Sequence, residues 1–463
     1  MDAQTRTRRV QRERSEPSQQ SLRGAKQIVI PMTRQEYDTI WTNPLLVRAR
    51  LEALLPVSPE IFPSAMAEGF TLDGLLRESA KQPQVRLRKI LLNNGSIWTL
   101  RPSFVMPYMM GTVDDLEHPL LLLSLGVPCW ALTIIFGHND MYWYRLLERL
   151  GRNSLVGATV RDPARLPQDI VADEHHVDWC GEKGYIATTA GSGCLLGLAL
   201  TKSADETHLQ AAYSDFAAEA RDVSKDYAPR TVNTDGWSAT QNAFRALFEG
   251  IAVILCFLHG FLKIRDRCRK NFELHRHVWD VFRAATAEEF HRLMSELKTW
   301  CSSQTWPQAV SDMLAKLFHK TAQYAVAYEH PGCHRTSNLV DRLMNRLYRS
   351  VYASRGLHGH QASSERRLRG WALLLNYRPF APRSGQPRQH HSPAHRLNDK
   401  SMTRTGFIIS TPQRQCWATE RSPQQSGRVR KFESFSKGTM GQRNDQWQSN
   451  DRRAARTLNP KSR

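Results

Sequence analysis

The alternation of apolar and polar positions is most ordered between residues 168 and 260. Residues 168–172 make a short apolar strand, and 184–189 and 194–200, separated by Ala190-Gly191-Ser192-Gly193, predict a hairpin rather than a phosphate cradle. Helical periodicity follows over 205–223, a strand over 230–234, a second helix over 239–248 and a buried strand over 251–257. The expected order is strand, hairpin, helix, strand, helix, strand, with the first and fourth strands side by side and parallel. Open α/β sheets place their sites at the carboxyl ends of such strands.

From 266 to 330 the pattern turns helical, with Phe272, Val278, Val281, Phe290, Leu297, Leu314 and Leu317 among the apolar positions, so 266–333 reads as an all-helical insertion. Thr336 or Ser337 then caps a long helix to about Tyr352, in which Leu339, Val340, Leu343, Leu347 and Val351 form the buried stripe. Asn338, Asp341 and Asn345 share a neighbouring face of it. A last helix is expected over 365–375.

The N-terminal third is less regular. Helical periodicity covers 37–55, and a strand pair is expected over 85–92 and 96–100, turned by Asn93-Asn94-Gly95. Between 119 and 151, short helices over 120–125, 129–136 and 140–150 are separated by Gly126-Val127-Pro128 and Gly137-His138-Asn139. Short helices joined by tight Gly-containing turns suit a helix-turn-helix, whose recognition helix would be 140–150, with Asn139, Tyr142, Tyr144 and Arg145 contacting DNA. The alternative is a helical bundle in which Tyr142, Trp143 and Tyr144 simply pack. Residues 119–137 approach membrane-span length, but Ser124, Gly126 and Pro128 interrupt them, so no membrane partner is expected.

Charge sharpens the domain picture. The 463 residues carry a net +20, yet 1–26 hold 7 Lys/Arg against 3 Asp/Glu and 382–463 hold 17 against 5, so the flanks account for most of it. Both flanks lack the apolar side chains that offset the entropy of folding, and read as a basic arm and a disordered basic tail. The eight cysteines show no Cys-x-x-Cys pair, and Met1–Arg14 is charged, so a reducing cytoplasmic setting is expected rather than export.

Three acids carry the chemistry. Asp173 follows the first apolar strand, Asp235 follows the 230–234 strand and precedes Gly236-Trp237, and Asp341 lies early in the long helix. Two carboxylates at strand ends and one on a helix can converge on two divalent ions, an arrangement that stabilises the attacking and leaving oxygens of a phosphodiester displacement. An Asp at a strand end is commonly a turn former, and the claim rests on the three together. Glu174 and Asp178 compete with Asp173 for its role, and His175 and His176 either assist or are merely exposed. Cys256 and His259, with His175 or Cys180, invite a zinc reading, but four ligands at characteristic spacing are absent. Lys263, Arg265, Arg267 and Arg269 form either a solvated face or a phosphate track.

With Asp235-Gly236-Trp237 at a strand end, Cys256-Phe257-Leu258-His259 on the next strand, and Thr336-Ser337-Asn338-Leu339-Val340-Asp341-Arg342 opening the last catalytic helix, residues 165–380 resemble the DDE/DDD transposases, in particular the Cys/Asp-x-x-His group of Mutator-like and related bacterial insertion-sequence enzymes. The resemblance implies an α/β fold with a ribonuclease H-like mixed sheet and an all-helical insertion, preceded by a mainly helical DNA-binding region. It gives 1–26 as an arm, 27–160 as the DNA-binding region with its helix-turn-helix at 119–151, 161–381 as the catalytic domain and 382–463 as the tail. It further implies that Asp173, Asp235 and Asp341 hold Mg²⁺ or Mn²⁺, that Cys256 and His259 mark the active site, and that Lys263, Arg265, Asn338 and Arg342 touch DNA. The partners implied are double-stranded DNA at element ends and target, and further copies of the chain in a synaptic homo-oligomer, in a nucleoid-associated cytoplasmic setting. One departure stands out: the family most often has Glu at the third position, and Asp341 is one methylene shorter. Glu329 and Glu365 are the next candidates. The rival readings are a metal-dependent nuclease without strand transfer and an inactive DNA-binding remnant.

Overall fold

The computed structural model describes residues 27–57, 61–78, 84–105, 112–160, 162–353, 356–381 and 392–398. In chain order these form β1 (Gln27–Ile30), α1 (Arg34–Ile40), α2 (Pro44–Leu54), β2 (Phe70–Leu75), β3 (Arg88–Leu92) and β4 (Ile97–Pro102); α3 (Val113–Ser124), α4 (Cys129–Phe136), α5 (Asp140–Leu150) and α6 (Leu155–Thr159); β5 (Asp169–Trp179), β6 (Glu182–Gly191), β7 (Cys194–Thr201), α7 (Glu206–Val223), β8 (Thr231–Thr234), α8 (Ser238–Leu247) and β9 (Ala252–Leu255); then α9 (Phe257–Arg267), α10 (Phe272–Arg283), α11 (Ala287–Ser302), α12 (Gln308–His319), α13 (Thr321–Glu329), α14 (Asn338–Ala353) and α15 (Gln361–Tyr377).

The central sheet runs β7-β6-β5-β8-β9. Its antiparallel half is two consecutive hairpins, β5–β6 and β6–β7, turned by Cys180-Gly181 and Ser192-Gly193, all four with positive φ. Two-residue turns of that hand match the twist of the strands they join. Its parallel half is β5–β8 and β8–β9. The adjacency of the first and fourth strands is as expected from the sequence. Asp205 caps α7 through its side chain at the expected position.

Period-two alternation sends each strand's side chains to two layers. Ile170, Ala172, Ala187 and Val232 meet Leu209, Tyr213, Phe216 and Phe244 of α7 and α8. Val171, Ile186 and Leu195 meet Val340, Met344 and Leu347 of α14 and Leu368 and Leu375 of α15. Helices α10 to α13 gather a core of their own around Leu274, Val278, Phe290, Leu314 and Leu317, which reaches Ile254 and Leu255 of β9.

Several expectations are corrected. Residues 27–105 are not mainly helical: a mixed sheet in the order β1-β4-β3-β2 carries α1 and α2 around a core that includes Trp41, Leu51 and Ile90. The parallel partner of β1 is β4, with Gln27 opposite Thr99, a pairing too distant in sequence for local periodicity to reveal. Helices α3 to α6 do not form a separate unit with that sheet, because Leu120, Trp143, Leu146 and Leu155 share the central core with α14 and α15. The crossing of α5 and α15 is close: a Cβ on Gly370 would lie 2.3 Å from the Leu147 carbonyl oxygen. Within the segment read as a tail, residues 392–398 are packed, with Ala394 and Leu397 in the core beneath α7 and Asn398 Nδ2 donating to Thr159 O at 2.9 Å. The arm 1–26 and the remainder of the tail lie outside the described residues. No helix among the described residues is long and apolar enough to cross a membrane.

Candidate metal centre

Strand β5 does not stop before Asp173. It continues to Trp179 along β6, with Asp173 opposite Thr188 and His175 opposite Ile186, while its pairing with β8 ends at Val171 opposite Asn233. Asp173 is therefore mid-strand, not at a strand end, but it stands where β5 outruns its parallel neighbour. The polar run from Glu174 to His176 imitates a loop in sequence, and the ladder to β6 keeps it extended. Strand β8 gives way to a turn in which the Trp237 N–H donates to Asp235 Oδ1 at 2.9 Å. Gly236 has φ +95° there, and a Cβ on it would lie 2.7 Å from Leu255 Cδ1, so both the backbone and the space call for glycine. Asp341 enters on the first turn of α14, which is fastened to β5 by the Tyr348 hydroxyl donating to His176 O at 2.6 Å.

These elements produce two donor groups that share one residue. Ligand atoms of Asp173, Glu174 and Asp235 lie within 4.8 Å of one another, and so do those of Asp173, His175 and Asp341. His175 Nε2 is 3.7 Å from Asp173 Oδ2 and 3.9 Å from Asp341 Oδ1. Carboxylates gathered in this way suit hard divalent cations, so the residues present fit Mg²⁺ or Mn²⁺.

The electrostatics point the same way. Burial pushes the Asp173 carboxyl up to about 7, with Asp235, Glu174 and Asp341 adding repulsion and the Glu174 N–H bond opposing. Glu174 is also raised, by burial first, although Thr240 Oγ1 donates to it at 2.6 Å and the Tyr213 hydroxyl donates as well. Burial lowers His175 against the pull of Asp341, which favours the neutral imidazole that metals accept. Carboxylates crowded in this way stay together where protons or a cation offset their mutual repulsion.

The Cys-x-x-His residues lie beside this centre on different elements from those expected. Strand β9 ends at Leu255, its ladder closing with the Cys256 N–H donating to Thr234 O at 2.8 Å; Phe257, Leu258 and His259 are the first turn of α9, not strand. Cys256 Sγ accepts from the Ser337 N–H at 3.2 Å and meets Ser337 Oγ at 3.5 Å, and Ser337 Oγ donates to Asp341 Oδ2 at 3.0 Å. Ser337 thus bridges the Cys256 thiol and the third carboxylate. Burial alone would raise Cys256, but hydrogen bonding with His259 and Ser337 brings it below the usual thiol range. His259 rises to about 9, chiefly through Cys256 and against burial. Among the described residues neither belongs to a group of three metal donors, and Cys180 is exposed at the β5–β6 turn, so nothing supports the zinc reading. Glu329 and Glu365 join neither donor group, and Glu365 instead accepts from the Leu200 N–H at 3.2 Å.

The residues expected to touch DNA divide. Asn139 caps α5, accepting from the Tyr142 N–H at 2.9 Å. Tyr142 stacks on His138 at 4.1 Å, Tyr144 lies under Arg367 at 5.4 Å, and both are half-buried, while Trp143 is buried. Arg145 is exposed. Lys263 and Arg265 are exposed on α9, Arg265 paired with Asp266 at 3.2 Å. Asn338 and Arg342 are exposed at the start of α14, one turn apart and joined by Arg342 Nε donating to Asn338 O at 3.1 Å. Sequence reasoning gave no definite role to His175 and Ser337. The signal for His175 is its i+2 spacing from Asp173 on a strand; that for Ser337 is its place in the Thr336–Arg342 run, where capping is the simpler reading. No protein-family model and no curated protein matches the chain.

Proposed function

We propose that the chain is a DDE/DDD-type transposase whose central sheet is ribonuclease H-like, cleaving DNA strands at mobile-element ends and joining the freed 3′-hydroxyl to target DNA. The observation that carries this reading is the meeting of Asp173, Asp235 and Asp341, from β5, the β8 turn and α14, with Asp173 common to both donor groups. Asp173, Asp235 and Asp341 would hold the Mg²⁺ or Mn²⁺ ions, which when bound supply charge stabilisation to the attacking and leaving oxygens. The turn at Gly236 fixes Asp235, and Ser337 holds Asp341 by a hydrogen bond at 3.0 Å. The exposed Arg342, Lys263 and Arg265 give phosphate contacts that position the duplex without reading it. Two ends must be brought together, so the working form is a homo-oligomer on double-stranded DNA.

The test is divalent-ion-dependent cleavage of the DNA flanking this chain's coding region, followed by strand transfer from ends with exposed 3′-hydroxyls. Replacement of Asp173, Asp235 or Asp341 by Ala is expected to abolish both steps. Cutting without joining would make the chain a nuclease, and activity surviving all three replacements would sink the assignment.

A further inference from the structure

The three carboxylates do not account for the whole centre. His175 points its Nε2 into the space between Asp173 and Asp341, at 3.7 and 3.9 Å from their oxygens. Those separations are too long for hydrogen bonds. They are compatible with donor atoms placed around one ion at bond lengths of about 2.0–2.2 Å. His175 Nδ1 is buried with no hydrogen-bond partner among the described residues, so no neighbour holds the ring in place through that edge. The alternation of β5 puts Asp173 and His175 on one face, and the Tyr348 bond to His176 O holds α14, and with it Asp341, against that face.

We infer that His175 is a metal ligand, and that the ion held by Asp173, His175 and Asp341 is a first-row divalent transition ion such as Fe²⁺ or Co²⁺ rather than Mg²⁺. The inference rests on the reading of this centre as a two-ion site and deepens it. Its two positions are chemically unlike. The group of Asp173, Glu174 and Asp235 offers only oxygen, which suits Mg²⁺. The other offers an imidazole nitrogen, which Mg²⁺ accepts poorly and transition ions accept readily. The imidazole also bears on the short side chain of Asp341, because a third donor from β5 completes a set to which the helix contributes only one carboxylate.

The experiment is a Co²⁺ titration of the metal-stripped full chain, without DNA, followed by visible absorption and by calorimetry, with Mg²⁺ as competitor. Wild type is expected to bind a tight equivalent of Co²⁺ that a large excess of Mg²⁺ does not displace. His175→Ala and the near-isosteric His175→Gln are expected to weaken that equivalent at least ~10-fold and alter its spectrum. His176→Ala, at the exposed neighbour, is expected to leave it unchanged, and thermal melting of each variant reports folding. An unchanged tight equivalent in both folded His175 variants would overturn the inference. DNA cleavage that needs Asp235 while Co²⁺ binding ignores His175 removes this inference alone; His175-dependent Co²⁺ binding in a chain that cuts no DNA under any ion removes the transposase reading alone.

Discussion

Replacing Asp173 by Asn should stabilise the metal-free protein. Asp173 is held at about 7 against an ordinary value of 3.8, with its side chain only 13% exposed. At about 1.4 kcal/mol per pH unit, that gap corresponds to a penalty of about 4 kcal/mol once the folded carboxyl is ionised. The sign follows from proton binding. Below pH 4 both states hold the proton and no penalty exists; between about 4 and 7 the unfolded chain releases it first and stability falls; above 7 both are ionised and the penalty is constant. Asn keeps an oxygen for the Glu174 N–H, which now donates to Asp173 Oδ1 at 2.9 Å, and carries no charge to repel Asp235, Glu174 and Asp341. Urea unfolding in EDTA, repeated from pH 5 to 8.5, measures the difference between wild type and Asp173→Asn. The variant is expected to gain up to ~4 kcal/mol at pH 8, a gain that shrinks toward pH 5. Adding Mn²⁺ should stabilise wild type and not the variant. A variant equal to or weaker than wild type at pH 8, or a gap that does not change with pH, refutes the reasoning.

Other consequences are as direct. Glu219 is 1% exposed, pairs with Arg369 and accepts from the N–H groups of Leu155 and Val156, so Glu219→Gln should cost ~3 kcal/mol by taking from the buried Arg369 its directly bonded carboxylate, measured by chemical denaturation. Gly370→Ala should cost at least ~1–3 kcal/mol in the same assay, because its Cβ would stand 2.3 Å from the Leu147 carbonyl and force α5 and α15 apart. Ser337→Ala removes the donor to Asp341 and should lower ion-dependent DNA cleavage ~10-fold or more while costing only ~1 kcal/mol in stability, with Ser337→Thr restoring part of the rate. Thiol alkylation is informative as well: modification of Cys256 by a small alkylating reagent should require partial opening, since the residue is 1% exposed, and its rate should therefore rise with urea.

The central sheet was legible because its signals are local. The N-cap at Asp205, the apolar strands and the Gly-bearing turns each act within a few residues, and together they announced the order later found as β5 to β9. The path of β5 beyond Ala172 was not legible, since Glu174, His175 and His176 have a loop's composition and are held extended by pairing with β6. Asp173 follows an apolar run that reads as a complete strand, whereas pairing with β6 carries the strand on past it. The Cys256–His259 run was placed on strand because its apolar residues continue from β9; the change to helix at Phe257 coincides with its N–H turning to Arg335 O, a partner far along the chain. Residues 27–105 show the limit most clearly, for β1 acquires its identity only from β4. The role of the exposed Arg and Lys residues was the least legible part, because such side chains serve a phosphate and a solvated surface equally well.

The long excursion between β9 and α14 sets an order of events during folding. Cys256 and Ser337 are 81 positions apart, and α9 to α13 fold between them. Closing a loop of that length costs about 4 kcal/mol of chain entropy before any contact repays it. Asp173 and Asp235 are brought together by strands separated by β6, β7 and α7, whereas Asp341 arrives only when the excursion has been gathered and α14 has docked. A newly made or partly unfolded chain therefore carries an incomplete ion site even when its sheet is formed.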